Sequence, residues 1–94
     1  VEAYGTVDEA NATIGLLRLH LADDAAADAM LARVQNDLFD LGADLCVPGE
    51  GGERLRVTDA QCLRLEAELA EMNALIPPLR SFVLPGGSPA AAYA

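Results

Sequence analysis

Apolar residues recur every three or four positions along most of the chain, and this spacing predicts helices. The first predicted helix runs from about Val7 to Leu21, and its apolar face consists of Ala10, Ile14, Leu17 and Leu21. Thr6 precedes it, and Glu9 follows Thr6 by three residues. A threonine and a glutamate at this spacing are typical of a capping box, so Thr6 is the predicted N-cap.

A second helix is predicted from about Ala26 to Leu45. Its apolar positions alternate spacings of three and four, the pattern of a helix that packs in a bundle: Leu31, Val34, Leu38, Leu41 and Leu45. Pro48 and the glycines of residues 49–52 break the pattern, which predicts a loop.

A second apolar seam, meaning a row of apolar residues at alternating spacings of three and four, predicts a third helix after Thr58. Thr58 and Gln61 form a second candidate capping box. The apolar positions are Cys62, Leu65, Leu69, Met72 and Ile76. Pro77 and Pro78 end this helix, because a residue that precedes proline is disfavoured in the helical region.

Ser88 and Pro89 predict the start of a fourth helix, with serine as the N-cap and proline at the first helical position. We find no alternating pattern long enough for a strand. The sequence therefore predicts an all-α helical bundle, with residues 1–94 forming part of a single domain.

The formal net charge is -9 and the sequence pI is about 4.2. Such an acidic surface repels phosphate backbones and anionic lipids, so we expect neither a nucleic-acid partner nor a membrane partner. The cysteines, Cys46 and Cys62, form no CxxC pair. This arrangement indicates reduced thiols, buried or half-buried, in a cytoplasmic protein rather than a disulfide or a metal site.

Few residues point to chemistry by their spacing alone. His20 is the only histidine, it lies on the first predicted helix, and no Glu-x-x-His motif accompanies it, so we expect no metal site. Acidic side chains on the predicted helices are expected on solvated faces: Asp40, Asp44, Glu66 and Glu68.

Residues 86–88, Gly-Gly-Ser, could bind an anion through free amides or could simply form a turn and a cap. Gly15 and Gly42, inside helices, favour close helix packing.

Three stretches in order resemble the propanediol-utilisation (PduO) type of ATP:cob(I)alamin adenosyltransferase. They are Ala3-Tyr4-Gly5-Thr6-Val7-Asp8-Glu9-Ala10-Asn11 through Gly15, Val34-Gln35-Asn36-Asp37-Leu38-Phe39-Asp40-Leu41-Gly42-Ala43-Asp44-Leu45, and Asn73 through Ser81-Phe82-Val83-Leu84-Pro85-Gly86-Gly87. Ala10 departs from the family, which usually has leucine there. The resemblance implies a five-helix bundle that forms a homotrimer with active sites between subunits. It also implies transfer of the 5′-deoxyadenosyl group of ATP, which binds with Mg²⁺, to cob(I)alamin, with release of triphosphate.

The resemblance assigns roles to three residues. Asp8 matches an acidic residue that pairs across the subunit interface with an arginine, and Asn11 lies one turn further along as a corrin contact. Phe82 matches a phenylalanine under the corrin ring. The resemblance implies Phe82 and Asp8 as the catalytic residues, and Phe82, Asn11 and Asp8 as the cobalamin-binding residues. The alternatives are a carboxylate that interacts with the helix dipole for Asp8, a solvent-facing amide for Asn11 and a core aromatic for Phe82.

The family's Gly/Thr-rich ATP-binding segment and its Arg/Glu-rich helix match nothing in this sequence, so the ATP-binding residues are not assigned. The chain starts at Val1 rather than Met and stops just inside its fourth helix. We therefore expect the central part of a longer protein. The alternative is a non-catalytic oligomerisation module or a degenerate family member.

Overall fold

A computed structural model describes residues 1–46 and 57–94, and within these residues every regular element is a helix. The four helices are α1 (Glu2–Arg18), α2 (Ala25–Cys46), α3 (Asp59–Asn73) and α4 (Pro89–Tyr93). The all-α prediction is confirmed. The loop predicted at Pro48 and residues 49–52 lies outside the described residues.

Helix α1 begins earlier than the sequence pattern predicted. Its first residue is Glu2, so Thr6 lies inside the helix and its hydroxyl donates a hydrogen bond to the Glu2 carbonyl at 2.9 Å. Threonine in a helix can bond back to the carbonyl four residues earlier as readily as it caps, which is why the predicted capping box at Thr6 is wrong. The helix also ends early, at Arg18, and His20 lies in the turn that follows.

The other helix ends agree more closely with the sequence, except that α3 ends at Asn73, three residues before the predicted end at Ile76. The bounds of α2 match the prediction within one residue. The capping box of α3 is confirmed, since the Thr58 hydroxyl accepts the Gln61 amide at 3.3 Å and the Gln61 side chain accepts the Thr58 amide at 2.7 Å. Ser88 caps α4 by accepting the Ala91 amide at 3.1 Å, with Pro89 at the first helical position.

Helices α1 and α2 form an antiparallel pair, since Arg18 contacts Asp28 and Asn11 contacts Gln35. Leu17 of α1 lies in this pair and is 8% exposed, the one buried residue among those described. Helix α4 packs on α1, and the Tyr93 ring stacks on the His20 ring with centroids 5.5 Å apart. The core is therefore small and centred on α1.

Helix α3 lies against α2 through polar side chains, and its apolar seam is not covered within the described chain. All five seam positions are exposed: Cys62, Leu65, Leu69, Met72 and Ile76. A cavity of about 200 Å³ separates Val34, Leu38 and Leu41 of α2 from the start of α3. The predicted packing of this seam is thus not realised among these residues.

Two further features concern the surface. Cys46 and Cys62 are free and exposed, so the expectation of buried or half-buried thiols is wrong. Within residues 1–46 and 57–94, no helix combines the length and the apolar composition needed to cross a bilayer.

Candidate functional site

Asp8 lies in the second turn of α1 with its carboxylate exposed to solvent. Within the described ranges, this carboxylate makes no hydrogen bond and no ion pair. Because α1 begins at Glu2, Asp8 is not a first-turn residue, and the alternative role at the helix dipole is weakened. The side chain is free to bind a positively charged group.

Asn11, one turn further along α1, is directed toward α2. Its Nδ2 donates to the Gln35 carbonyl at 3.2 Å, and Gln35 Nε2 donates back to the Asn11 carbonyl at 3.1 Å. The Oδ1 atom of Asn11 is buried and has no hydrogen-bond partner. The alternative of a solvent-facing amide is therefore wrong for this residue.

Arg18 and Asp28 extend this contact along the two helices. Arg18 Nη1 donates to Gln35 Oε1 at 2.8 Å, and Arg18 also binds both Asp28 oxygens, at 2.7 and 3.3 Å. The hydrogen bond from Arg18 lowers the pKa of Asp28, and the same bond raises the pKa of Arg18. The result is a polar chain from Asp28 through Arg18 and Gln35 to Asn11.

Phe82 lies in the segment between α3 and α4, and its ring is fully exposed. Its neighbours Val83 and Leu84 are exposed as well, so the three residues form an apolar surface patch. The alternative of a core aromatic is not seen in the described chain. An exposed apolar patch of this kind is typical of a surface that contacts a ligand, another subunit or another part of the same protein.

No described contact joins the three predicted site residues to one another. Among the described residues, no hydrogen bond, ion pair or ring contact joins Phe82 to Asp8 or Asn11. Asp8 and Asn11 share one helix, and Phe82 lies on a separate segment.

Gly86 and Gly87 have φ angles of 151° and 92°, which favour glycine because L side chains rarely adopt them. They turn the chain into Ser88, whose hydroxyl caps α4. Helix α4 has five residues, and its N-terminal amide at Ala91 is already bonded to Ser88. Of the two interpretations of residues 86–88, the structure favours the turn and cap.

A polar cluster between α2 and α3 was not predicted from the sequence. Arg64 binds Asp37 of α2, and it binds Glu68 of its own helix at 3.0 Å. Glu68 also contacts Arg33 of α2 at 2.8 Å, and hydrogen bonds from Arg33 and then Arg64 lower the pKa of Glu68. Gln61 donates to Asp40 at 3.0 Å, and the half-buried Asp44 accepts the Val57 amide at 3.2 Å. The expected solvated faces are therefore wrong for Asp40, Asp44 and Glu68, whereas Glu66 is exposed as expected. The i,i+4 spacing of Arg64 and Glu68 was the available signal.

The comparisons with known proteins identify the family. All of residues 1–94 match the model of the family described as cobalamin adenosyltransferase. The chain is 44% identical to a corrinoid adenosyltransferase of Mycobacterium tuberculosis, over 96% of this chain and 48% of the relative. It is 42% identical to a cobalamin adenosyltransferase of Cupriavidus metallidurans, over 100% of this chain and 49% of the relative. The corrinoid adenosyltransferase PduO of Salmonella typhimurium is 36% identical over 97% of this chain and 27% of its own length.

This chain belongs to the cobalamin adenosyltransferase family. Its likeness to PduO relatives confirms the resemblance drawn from the three sequence stretches. The chain spans about half the length of the first relatives named above. Every relative named above is an adenosyltransferase.

Proposed function

We propose that the protein containing this chain transfers the 5′-deoxyadenosyl group of ATP to cob(I)alamin. The observation that carries the proposal is the family match along all of residues 1–94. In this reaction the electron pair of Co(I) attacks the ribose C5′ carbon. A Co–C bond forms, the C5′–O bond breaks, triphosphate leaves with the bond electrons, and the cobalt becomes Co(III). Mg²⁺ accompanies ATP as part of the substrate.

The proposed role of Phe82 is to form an apolar wall under the corrin ring. A free Co(II) cobalamin carries an axial ligand, water or its benzimidazole base, and this ligand makes reduction to Co(I) harder. An aromatic ring on the lower face excludes both ligands, so a one-electron reductant can form Co(I) more easily. The exposed ring in an apolar patch supports this role, because it is free to contact a large planar ligand.

Asp8 and Asn11 are proposed to act from α1. Asp8 would pair with an arginine of a neighbouring subunit in a homotrimer, and its free, exposed carboxylate supports that pairing. Asn11 is proposed as a corrin contact. We further propose that residues 1–94 are part of a single helical-bundle domain and that the protein is cytoplasmic.

Phe82→Ala in the full-length gene product tests the proposal most directly. Because the ring is fully exposed here, its loss leaves no cavity, and we expect the stability to change by less than about 0.5 kcal/mol. The rate of adenosylation from cob(II)alamin should fall about a hundredfold or more, which corresponds to about 2.7 kcal/mol of barrier. Leu79→Ala, a change at another exposed apolar residue of the same segment, is the matched control and should leave the rate unchanged.

Absorption spectra with MgATP and cob(II)alamin distinguish the mechanism. The wild type should show four-coordinate Co(II), and Phe82→Ala should show mostly five-coordinate Co(II). A folded Phe82→Ala variant with the wild-type four-coordinate fraction would refute the role of Phe82. Lack of adenosyltransferase activity in the wild-type protein would refute the proposed function itself.

Asp8→Asn tests the proposed pairing between subunits. A charge left without its partner in a buried contact is costly, so we expect kcat/KM for cob(I)alamin to fall at least about tenfold. Glu9→Gln, a change at the adjacent exposed carboxylate, should have little effect. Steady-state kinetics and thermal melting are measured together. A lower melting temperature with unchanged kinetics would show that Asp8 only stabilises the helix.

A further inference from the structure

The contact between α1 and α2 contains a reciprocal hydrogen-bonded pair in which each helix bonds to the backbone of the other. We propose that Gln35 is a positioning residue of the adenosyltransfer site, because it fixes where Asn11 and Asp8 of α1 lie relative to α2. This inference rests on the proposed function. Gln35 itself contacts Asn11 and Arg18, and it acts on the site only through α1.

The two carbonyls that accept the cross-helix bonds do not need them, so on the acceptor side these bonds contribute position. Asn11 and Gln35 lie in the interiors of α1 and α2, where each carbonyl already accepts the amide four residues later. A carbonyl oxygen has a second lone pair, and the cross-helix bonds at 3.1 and 3.2 Å use it. A slide of one helical turn, about 5.4 Å along the axis, would break both bonds. The pair therefore selects one register of α1 on α2.

Gly15 provides the space for the Gln35 side chain. It lies one turn after Asn11, and a Cβ built on Gly15 would lie 3.4 Å from Gln35 Nε2. The Gln35 carboxamide thus lies directly over the α1 backbone, between Asn11 and Arg18.

Arg18 determines which way the Gln35 carboxamide points. Its guanidinium can only donate, so it requires the oxygen of Gln35, and the Oε1 contact is 2.8 Å. The Nε2 group is then directed to the Asn11 carbonyl, which can only accept. Asp28 in turn binds Arg18 through both carboxylate oxygens. The Arg18 and Gln35 side chains therefore have one compatible arrangement in this polar chain.

Two substitutions of Gln35 separate positioning from stability. Gln35→Met removes both side-chain bonds at similar volume. Gln35→Glu keeps the acceptor for Arg18 and loses the donor to the Asn11 carbonyl. Asn36→Met is the matched control, because the Asn36 side chain is exposed and bonds only to the Ala32 carbonyl of its own helix, at 2.9 Å.

In the full-length gene product, both Gln35 variants should raise the KM for cob(I)alamin about tenfold, the change that 1.4 kcal/mol produces. The value of kcat at saturating substrate should stay within about threefold. Gln35→Glu should keep a melting temperature closer to that of the wild type, and Asn36→Met should change neither constant. Kinetics are measured well below each melting temperature.

An unchanged KM in folded Gln35→Glu would overturn the proposal, as would an equal KM increase in Asn36→Met. Nuclear magnetic resonance of the Asn11 carboxamide provides a readout that does not need activity. Its protons should exchange with solvent at least about tenfold faster in Gln35→Glu, since the register is no longer fixed. If the wild-type protein has no adenosyltransferase activity, the proposed function fails. Exchange unchanged from the wild type would then still refute the positioning role.

Discussion

Two regions of the molecule have similar apolar patterns in the sequence but differ in how they pack. In the α1–α2 pair, Leu17 is buried, and the polar chain from Asp28 to Asn11 forms hydrogen bonds between the two helices. In α3 and the segment that follows it, none of the described residues is buried, and Phe82 is fully exposed. A spacing of three and four identifies the apolar face of a helix, but it does not identify what covers that face.

The two regions also differ in the interactions that hold their helices in place. The α1–α2 pair combines apolar burial with hydrogen bonds to backbone atoms. The described contacts of α3 with α2 include ion pairs of Arg33 and Arg64, whose side chains are partly exposed. Exposed ion pairs contribute little because solvent and salt screen them. We infer that α3 is the less firmly held of the two regions.

The largest expected difference in the free energy of unfolding is between Leu17→Ala and Leu69→Ala. Leu17 is 8% exposed and Leu69 is 65% exposed. Loss of a buried leucine side chain costs about 2–5 kcal/mol, so Leu17→Ala should lower the free energy of unfolding by an amount in this range. Leu69→Ala should change it by less than about 0.5 kcal/mol. Urea denaturation of residues 1–94 measures both, and equal losses would show that the two regions are packed alike.

Acid should weaken both regions through different carboxylates. The pKa of Asp28 is lowered by the hydrogen bond from Arg18, and that of Glu68 is lowered by hydrogen bonds from Arg33 and Arg64. A carboxylate with a lowered folded pKa stabilises the fold above its unfolded pKa, about 4. This stabilisation is lost as the pH falls through the lowered folded pKa of each carboxylate.

Asp28→Asn and Glu68→Gln should each remove part of this acid dependence, the first in the α1–α2 pair and the second in α3. Hydrogen exchange by individual helices, compared at pH 5 and pH 3 with the intrinsic pH effect removed, measures where each effect lies. Glu66→Gln, at an exposed carboxylate of the same helix, is the control for Glu68. Equal effects of Glu66→Gln and Glu68→Gln would contradict a specific role for the ion pairs.

The sequence predicted the helix ends better than it predicted the contacts between helices. The bounds of α2 and the caps at Thr58 and Ser88 depend on residues within one turn, and all were confirmed. The bond from Arg18 to Asp28 joins residues of different helices, and no local pattern indicates it. The direction of Asn11 toward α2 depends on which helix covers that side of α1, and the periodicity of α1 does not specify the neighbouring helix.

The candidate site was predicted by resemblance rather than by spacing. The spacing of the residues around Phe82 does not indicate a ligand site, and the exposure of its ring is seen only in the structure. Gln35 was part of a quoted motif, but its role depends on an atom-level contact with the backbone of another helix. Sequence periodicity cannot specify such a contact, because it describes faces and not individual hydrogen bonds.

The smallest expected effect compares two glycines inside helices. Alanine is favoured over glycine in a helix interior by about 0.8–1 kcal/mol. At Gly42 an added Cβ would meet no described atom within 4 Å, so the close packing expected there is not seen and Gly42→Ala should gain most of this energy. At Gly15 the Cβ would lie 3.4 Å from Gln35 Nε2, so the Gln35 side chain must adjust and Gly15→Ala should gain less. Denaturant unfolding of the two variants measures the difference. An equal gain at both positions would show that Gln35 is free to move, and it would contradict the close fit of its side chain against α1.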